Sequence, residues 1–361
     1  MKRHIACFHL LNDFSGSPKV LHDVLEGLLE EGCEIDLVTS KGGVLDTLQS
    51  PRLRRRSYSY AFSASPVLTM LRYVAAQFVT FCMAFRYLFR RDVVFYINTI
   101  LPVGAAIAGR IMGKRIVYHY HENAFVKGRF YVTLAKVMER LADRIICVSA
   151  YQASFLKRKR DVAVVPNAVS PEFISTLKPD PVAAFERKTV LMLSSLKGYK
   201  GTREFLELAA ALPEFKFILV INDTSDAIRQ WMDKEGIAVT ENVTVHPRTS
   251  DVASFYNSSS LVVNLSDPRL FIETFGLTAL EAMSCALPVI VPEIGGIAEM
   301  VNDGVNGYRI DCKDKDRLVR TIKLILTDKD VYMRLSREAL AVSRGFSRDA
   351  MLQNISYQLF N

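Results

Sequence analysis

The residues with the clearest chemical potential are two glutamates, Glu273 and Glu281, in the segment DPRLFIETFGLTALE. The segment lies between two apolar runs, LVVNLS and PVIVPE, that are typical of buried strands. We therefore expect a loop that leads into a helix near Thr274. The first-turn N–H groups of such a helix can bind a diphosphate; these groups belong to Thr274, Phe275, Gly276 and Leu277.

Carboxylates on either side of such an anion site can accept hydrogen bonds from paired hydroxyl groups. One could bind the ribose diol of a nucleotide and the other the hydroxyls of a sugar. The alternative interpretation is that Glu273 caps the helix and Glu281 faces solvent. The sequence contains no DxD-like pair in a strand–loop setting that would hold a diphosphate through a metal, so no metal site is predicted.

A second candidate is Lys200, in the segment VLMLSSLKGYKGTREFLELAAAL. The pattern predicts a strand, a polar loop and a helix, with Lys200 where the helix begins. A lysine there can neutralise the charge that builds on a leaving diphosphate. Ser195 and Lys197 lie in the same loop and are further candidate ligands. The alternative is that both lysines are simply solvated.

A third candidate, His121, follows the apolar run RIVYHY. Alternation along the strand places Val117, His119 and His121 on one face, with His121 at the carboxyl end. Open α/β sheets bind ligands at that end of their strands. We assign His119 a structural role.

The elements that must position these residues follow a βαβ rhythm. Short apolar runs alternate with helix-length segments, which predicts parallel sheets. The rhythm pauses at 166–188, a stretch with four prolines that we interpret as a linker. From about 313 onward the pattern is helical only. We predict an N-terminal domain over 1–168, a C-terminal domain over 169–345, and a final helix over 346–361 that packs back on the first domain.

These segments resemble the retaining glycosyltransferases of family 4. Glu273, Phe275–Gly276 and Glu281 match the family's E-x7-E signature, and PVIVPEIGGIAEMVNDGVNGY matches the segment that follows it. The resemblance covers nearly the whole chain. It implies the GT-B fold, an α/β fold in which two Rossmann-like domains face each other across a cleft.

The resemblance also implies roles for individual residues. Glu273 would bind the transferred sugar and Glu281 the ribose. Lys200 matches the family's Lys-Gly element, but where the family has an arginine this chain has Ser194 and Ser195, and Lys197 is the substitute that we propose. His121 matches the active-site histidine that contacts the transferred sugar.

The loop NDFSGSPK corresponds to the family's glycine loop, although one of the usual two glycines is missing. Its Gly16 and Ser17 would place backbone N–H groups near the diphosphate or the acceptor, and Pro18 suits a first helical turn.

Charge and cysteine content indicate which partners and which cellular location to expect. Residues 1–170 contain 24 basic and 13 acidic residues, whereas residues 171–361 contain 22 and 25. The basic half predicts an anionic surface such as phospholipid headgroups or a phosphorylated lipid, unless it is merely a solvated basic face. No nucleic-acid-binding motif is present, so we predict no nucleic acid partner. The six cysteines have neither disulfide nor zinc spacing, which favours a cytoplasmic location.

The most apolar stretch is SPVLTMLRYVAAQFVTFCMAFRYLFRR, residues 65–91. Its uninterrupted apolar core is shorter than the roughly 18 to 20 residues of a membrane-spanning helix. We favour a core helix between two strands. A location on a membrane surface is compatible with its arginine and aromatic residues.

Taken with the resemblance, these features predict a retaining, metal-independent hexosyltransferase that needs no cofactor. Its donor would be a UDP- or GDP-sugar. Its acceptor would be a glycan or lipid-linked intermediate of surface polysaccharide or lipopolysaccharide synthesis, at the inner face of the cytoplasmic membrane. The alternatives are a sugar-nucleotide epimerase with the same fold and a non-catalytic polyanion-binding protein.

Overall fold

The structure is a computed structural model that describes residues 3–63, 65–125, 127–158 and 160–361. The chain divides into two compact units. The N-terminal unit comprises Met1–Asn167 together with Asp349–Asn361, and the C-terminal unit comprises Ala168–Arg348. The sequence prediction puts the corresponding boundaries after residues 168 and 345.

The described residues of the N-terminal unit form a seven-stranded parallel sheet with the order β3-β2-β1-β4-β5-β6-β7. Its strands are β1 (His4–Phe8), β2 (Glu34–Ser40), β3 (Leu53–Tyr58), β4 (Val93–Asn98), β5 (Ile116–Tyr120), β6 (Arg144–Cys147) and β7 (Val162–Val164). Its helices are α1 (Gly16–Glu30), α2 (Pro66–Ala84), α3 (Val103–Ile111), α4 (Arg129–Leu141) and α5 (Ala150–Ser154).

The central strands are apolar because helices cover both faces of a parallel sheet. Every residue of β1 and β5 is buried. The strand β3, with the sequence LRRRSY, escapes the sequence prediction because it lies at the sheet edge and exposes its arginines. Exposed charges on an edge strand also oppose pairing with a further strand.

The C-terminal unit contains a six-stranded parallel sheet with the order β10-β9-β8-β11-β12-β13. Its strands are β8 (Thr189–Ser194), β9 (Lys216–Ile221), β10 (Val243–His246), β11 (Leu261–Val263), β12 (Val289–Val291) and β13 (Gly307–Arg309). Its helices are α6 (Pro171–Thr176), α7 (Pro181–Arg187), α8 (Thr202–Ala211), α9 (Ser225–Glu235), α10 (Ala253–Asn257), α11 (Leu277–Ser284), α12 (Lys315–Thr327) and α13 (Lys329–Ser343).

The stretch interpreted as a linker contains two short helices, α6 and α7. Each has proline as its first helical residue, where the missing N–H costs nothing. Each is capped by the side chain before the proline, Ser170 for α6 and Asp180 for α7. Two of the four prolines that signalled a break in the sheet pattern, Pro171 and Pro181, therefore begin helices.

The last helix, α14 (Arg348–Phe360), packs within the N-terminal unit. Ile355 and Leu359 are fully buried. Leu352 lies so close to Gly27 of α1 that a Cβ at position 27 would fall 2.3 Å from its Cδ1. These contacts make α14 part of the N-terminal core.

The prediction for residues 65–91 is wrong in two respects, the burial of the stretch and its length relative to a membrane-spanning helix. The stretch does form a helix, α2, but only 22% of its most apolar window is buried, so α2 is not a core helix. Within the described residues, Pro66–Tyr87 is the one helix that is long and apolar enough to cross a membrane, by length and composition only.

Each sheet has a point at which the strand order reverses. In the N-terminal sheet it lies between β1 and β4, and in the C-terminal sheet between β8 and β11. The loops that leave adjacent strands diverge at such a point and leave a crevice at the carboxyl ends.

Candidate active site

In the C-terminal unit, the loops that follow β8 and β11 meet. Gly201, at the start of α8, has φ +74°, and a Cβ there would fall 2.2 Å from the carbonyl oxygen of Leu265. Only glycine allows this approach. The backbone N–H of Asp267 donates to the carbonyl oxygen of Tyr199 at 2.8 Å and joins the same two loops.

The contact between these loops brings Lys200 and Glu273 together. The Lys200 ammonium donates to Glu273 Oε1 in an ion pair. The Ser266 hydroxyl donates to the same carboxylate oxygen at 3.2 Å. Both charged side chains are largely buried, with exposed fractions of 23% and 15%. The predicted lysine and the first predicted glutamate therefore share one site at the switch point.

Aromatic rings form one wall of this site. The Lys200 ammonium lies 4.4 Å from the centre of the Phe271 ring. That ring stacks on Tyr199 at 4.7 Å with an angle of 14° between the planes. A cation over an aromatic face is stabilised by the ring quadrupole, so the rings help to hold the ammonium beside the carboxylate.

The charge on Glu273 is stabilised despite its burial. Burial alone raises the pKa of a carboxyl group, but the Lys200 charge and the hydrogen bonds from Lys200, Ser266 and Asn264 outweigh that effect. They hold the pKa of Glu273 below its ordinary value. At neutral pH it is a carboxylate that can accept hydrogen bonds from hydroxyl groups.

The helix after this loop begins later than predicted. The sequence places its start near Thr274, but α11 begins at Leu277 and its N-cap is Gly276. The reason is the backbone of Gly276, which has φ +95° where a Cβ would lie 2.4 Å from the Ile297 side chain. The chain therefore turns at Gly276, and Thr274 and Phe275 precede the helix.

This shift changes which amides face outward at the start of the helix. Among the described residues, the N–H groups of Gly276, Leu277 and Thr278 have no hydrogen-bond acceptor. Phe275 is buried and packs against Phe346. Of the four predicted amides, two thus remain at the helix start, and Thr278 joins them.

Glu281 lies one turn into α11 and is 5% exposed. Its Oε2 accepts a hydrogen bond from the buried Tyr256 hydroxyl at 2.7 Å. The alternative of a solvent-facing Glu281 is therefore wrong. The structure places its carboxylate against Tyr256 of α10, whereas Glu273 pairs with Lys200.

The two other residues predicted for this unit are Ser195 and Lys197. Ser195 accepts through its carbonyl oxygen from the Thr202 hydroxyl at 3.4 Å. Lys197 is exposed and forms no ion pair among the described residues. Sequence reasoning missed Ser266, Phe271 and Tyr256. Ser266 could have been noted because it lies in the loop shortly after β11, whereas nothing in the sequence links Tyr256 to Glu281.

In the N-terminal unit, His121 directly follows β5, as predicted. Its Nε2–H donates to Asn98 Oδ1 at 2.9 Å. The Asn98 amide in turn donates to His9 Nδ1 at 3.0 Å. His9 follows β1 and Asn98 ends β4, so this chain of three side chains crosses the switch point of the sheet.

His119 packs beneath this chain. Its ring centre is 4.1 Å from that of His121, and its Nδ1 pairs with the buried Tyr96 hydroxyl at 2.7 Å. His119 is fully buried, which fits the structural role assigned to it.

Burial controls the protonation of these histidines. It lowers the pKa of His9 to about 4 and that of His119 to about 3. The pKa of His121 is also lowered, first by burial and then by the neighbouring His119 and His9. All three rings are therefore neutral at pH 7.

Glu122 and Asn123 follow His121. Glu122 Oε2 accepts from the backbone N–H of Ile100 at 3.3 Å, and burial raises its pKa. The Asn123 side chain is buried, and neither its oxygen nor its nitrogen has a hydrogen-bond partner among the described residues. A buried amide without partners is costly unless a ligand satisfies it.

The glycine loop leads into α1, and its last four residues belong to that helix. Gly16 and Ser17 are the first two helical residues, and Pro18 lies in the first turn, as predicted. A Cβ built at Gly16 would meet no atom within 4 Å. Packing therefore does not require glycine there, which leaves space for a ligand to approach the backbone.

Within the described ranges, no group of three His, Cys, Asp or Glu residues lies close enough together to hold a metal ion.

Two family models match the chain in succession. Residues 14–173 match the model of Glycosyltransferase Family 4, and residues 175–341 match that of Glycosyl transferases group 1. An uncharacterized glycosyltransferase of Haemophilus influenzae is 23% identical over 247 residues, which cover 66% of this chain and 68% of that protein. A D-inositol 3-phosphate glycosyltransferase of Xylanimonas cellulosilytica is 29% identical over 166 residues, which cover 44% and 39%.

Solved structures show the same fold. HepE of Anabaena, crystallised with UDP and glucose, superposes with a TM-score of 0.77 at 21% identity over 98% of each chain. WaaG, a glycosyltransferase involved in lipopolysaccharide biosynthesis, superposes with a TM-score of 0.73 at 16% identity over 99% of this chain and all of that one. The two Rossmann-like units thus have the GT-B fold, as the sequence predicted.

Proposed function

The chain belongs to the group 1 glycosyltransferases of family 4, and from that premise we propose that it is a retaining enzyme that transfers a hexosyl group from a UDP- or GDP-sugar. The observation that carries this proposal is the pair of Lys200 and Glu273 at the switch point of the C-terminal sheet, next to the start of α11. The HepE structures with UDP and UDP-glucose support a UDP-sugar as the donor.

The proposed donor site uses two sources of positive charge. The outward N–H groups at the start of α11 bind the diphosphate, as helix N-termini commonly do. Lys200 moves part of its interaction from Glu273 to the leaving diphosphate as the glycosidic bond breaks. Because these groups supply the electrostatic stabilisation, we propose that no metal is required and that the nucleotide sugar is the only small molecule needed besides the acceptor.

Glu273 and Glu281 are proposed to bind hydroxyl groups, the first on the transferred sugar and the second on the ribose. Glu273 is suited to this role because its pKa is held low. In the N-terminal unit, His121 is proposed to contact the transferred sugar as a neutral imidazole. We propose that Gly16 and Ser17 bind diphosphate or acceptor through backbone N–H groups.

The proposed acceptor is a hydroxyl group of a glycan or a lipid-linked intermediate in surface polysaccharide or lipopolysaccharide synthesis. Its support is the basic charge of residues 1–170 and the fold shared with WaaG. The corresponding location is the cytoplasm, at the inner face of the membrane.

A thermal-shift panel of UDP- and GDP-sugars tests the donor. We expect one nucleotide class to raise the melting temperature, because a ligand that binds only the folded state stabilises it by mass action. The shift should be lost in Lys200→Met and kept in Lys313→Met, a lysine of the same unit that pairs with Glu204. If no nucleotide sugar stabilises the wild type, the proposed donor site is wrong.

Product analysis tests the reaction. With the stabilising donor and a lipid-linked glycan acceptor, NMR of the product should show the donor's anomeric configuration, and EDTA should not change the rate. An inverted product or loss of activity in EDTA would contradict the corresponding part of the proposal. Epimerised donor in a reaction without acceptor would favour the epimerase alternative.

A further inference from the structure

In a core helix the large apolar residues are buried. In α2 most of the buried residues are small, and large apolar residues are exposed. Its buried positions are Tyr73, Ala76, Thr80 and Ala84, three of which are small. They allow a close approach to α3, where a Cβ at Gly104 would fall 2.0 Å from the carbonyl oxygen of Gln77. The Gln77 side chain accepts from the Gly104 N–H at 2.9 Å. One side of α2 is thus firmly attached to the N-terminal unit.

The opposite side exposes large apolar residues at helical spacing. Val67, Leu71, Val74 and Phe78, called here the apolar stripe, are 57% to 69% exposed. At the end of the following turn Phe89 is 93% exposed. Isolated apolar residues are common on protein surfaces, but a contiguous row along a helix about 28 Å long indicates an interaction surface.

The chain segment that contains the apolar stripe carries charge of one sign. Residues 51–91 contain eight arginines and no acidic residue. Seven of these arginines form no ion pair with a carboxylate in the described part of the chain; they are Arg52, Arg54, Arg55, Arg56, Arg72, Arg86 and Arg91.

The arginines of β3 lie beside the C-terminal end of α2. The charges of Arg56 and Arg90 both act on the hydroxyl of Tyr87, just beyond α2, and lower its pKa against the larger effect of burial. That hydroxyl donates to Asp36 of β2 at 2.7 Å, and Asp36 is the register partner of Arg54 in the parallel pairing of β2 with β3. The strand β3 and the end of α2 therefore form one basic surface.

We propose that the N-terminal unit docks on an anionic bilayer surface, with α2 lying in the plane of the membrane. The apolar stripe enters the boundary between headgroups and acyl chains, about 5 to 10 Å deep. The arginines of β3 bind lipid phosphates. This proposal deepens the proposed function, because it places the enzyme where a lipid-linked acceptor would be.

Two other occupants of this surface fit the structure less well. A second copy of the chain in a symmetric dimer would bring the same arginine-rich patch against itself and set like charges against each other. Insertion of α2 across the bilayer would break its attachment to α3 and bury Arg72, which donates to the carbonyl oxygens of Ala61 and Phe62. Docking on a membrane surface neither sets like charges against each other nor detaches α2 from α3.

Vesicle flotation of the full-length protein tests the proposal. We expect binding to vesicles of phosphatidylcholine and phosphatidylglycerol at 3:1, and at least tenfold weaker binding to phosphatidylcholine alone. Val74→Glu with Phe78→Glu should weaken binding at least tenfold. Arg54→Gln with Arg55→Gln and Arg56→Gln should weaken it about a hundredfold, at about fivefold per arginine. All substituted side chains are exposed, so the melting temperature should stay unchanged.

Matched controls come from the C-terminal unit. Val182→Glu with Leu324→Glu makes the same change at exposed helical positions. Arg334→Gln with Arg337→Gln and Arg344→Gln removes the same charge from exposed positions. Both controls should bind vesicles like the wild type. Equal loss in test and control variants, or vesicle binding that the α2 variants do not weaken, would overturn the proposal.

The single tryptophan, Trp231, provides a test of depth, because it lies on α9 of the C-terminal unit. In a Trp231→Phe background, Phe78→Trp should shift its emission to the blue on anionic vesicles and be quenched by brominated acyl chains. In the wild type, the emission of Trp231 should neither shift to the blue nor be quenched by brominated acyl chains. Absence of the shift, or resistance of the bound protein to carbonate extraction, would overturn the surface orientation of α2.

The outcomes separate this proposal from the proposed function. The Val74→Glu, Phe78→Glu variant should keep the thermal shift with the donor, because it changes only the membrane surface. If the wild type binds vesicles but no nucleotide sugar, the proposed function fails and the docking surface stands. If it binds the donor but no anionic vesicle, or dimerises through α2 in sedimentation experiments, the docking surface fails.

Discussion

Glu273 combines two properties that conflict in most carboxylates, because it is largely buried and yet charged. Lys200 makes this possible by compensating the charge, and Ser266 satisfies the same oxygen. Removing one member of a buried ion pair costs more than the pair contributes, because the other charge stays behind unpaired. Both residues should therefore be sensitive to substitution.

Glu273→Gln and Lys200→Met should each lower kcat/KM at least about a hundredfold, or about 2.7 kcal/mol of transition-state stabilisation. The double variant should be little worse than either single one, because the two residues act as a unit. Lys313→Met, which breaks the more exposed pair with Glu204, should keep the wild-type rate. Steady-state nucleotide release measures kcat/KM for each variant. A near wild-type rate in Glu273→Gln would show that Glu273 is not part of the active site.

Asn98 shows how a residue without catalytic chemistry of its own can matter. Its amide bonds His121 on one side and His9 on the other, which orients the His121 ring and places its proton on Nε2. We therefore propose that Asn98 is a positioning residue for His121.

We predict that Asn98→Ala lowers kcat about tenfold or more and leaves the donor KM nearly unchanged, because the His121 ring loses its orientation. Tyr96→Phe is the matched control, since that hydroxyl pairs with His119. It should leave kcat unchanged. A higher donor KM with unchanged kcat in Asn98→Ala would contradict the positioning role.

At the scale of elements, the site depends on two glycines that let loops approach closely. Gly201 brings the loop after β8 against Leu265, and Gly276 turns the chain against Ile297 just before α11. Both have positive φ, which L-residues adopt at a cost. The positions of Lys200 and of the α11 amides follow from these turns.

Gly276→Ala should reduce the free energy of unfolding of the C-terminal unit by about 2 to 5 kcal/mol, from positive φ and overpacking together. Gly236→Ala is the matched control, because Gly236 also has positive φ but a Cβ there meets no atom within 4 Å. It should cost only about 1 to 2 kcal/mol. Urea unfolding followed by Trp231 fluorescence reports on this unit. Equal costs for both variants would show that contact with Ile297 is unimportant.

At the scale of the whole molecule, the two units repeat one architecture with different chemistry. The C-terminal unit places a lysine and carboxylates at its switch point. The N-terminal unit places neutral histidines there and carries the basic, apolar surface around α2. Five of the six histidines lie in the N-terminal unit, and only His246 lies in the other.

This asymmetry predicts a pH dependence. The folded pKa values of His9, His119 and His121 lie below the unfolded value, so unfolding takes up protons below about pH 6.5. The three histidines should leave the stability of the N-terminal unit unchanged above that pH and lower it by about 1.4 kcal/mol per pH unit for each as the pH falls, down to about pH 4 for His9 and about pH 3 for His119. Glu122, whose pKa burial raises, acts in the opposite direction.

Calorimetry at pH 7.5, 6.5 and 5.5 measures this effect, with Trp231 fluorescence as the internal reference for the C-terminal unit. The N-terminal transition should move to lower temperature between pH 6.5 and 5.5 by more than the transition that Trp231 reports. Equal shifts of both transitions would contradict the role of the buried histidines.

Local sequence determined much of this protein. Apolar periodicity located the central strands, and the position of His121 after β5 followed from strand alternation. The E-x7-E segment and its glycines located the loop that we propose binds the donor. These signals are readable because strand burial and turn chemistry act over a few residues.

The tertiary structure alone decided three other features. Lys200 and Glu273 are 73 residues apart, and they meet because the strands that precede their loops are neighbours at the switch point. The late start of α11 follows from the turn at Gly276, where the side chain of Ile297, beyond the next strand, leaves no room for a Cβ. The exposure of α2 depends on which of its faces α3 covers. Each feature depends on contacts between distant segments, which local pattern does not encode.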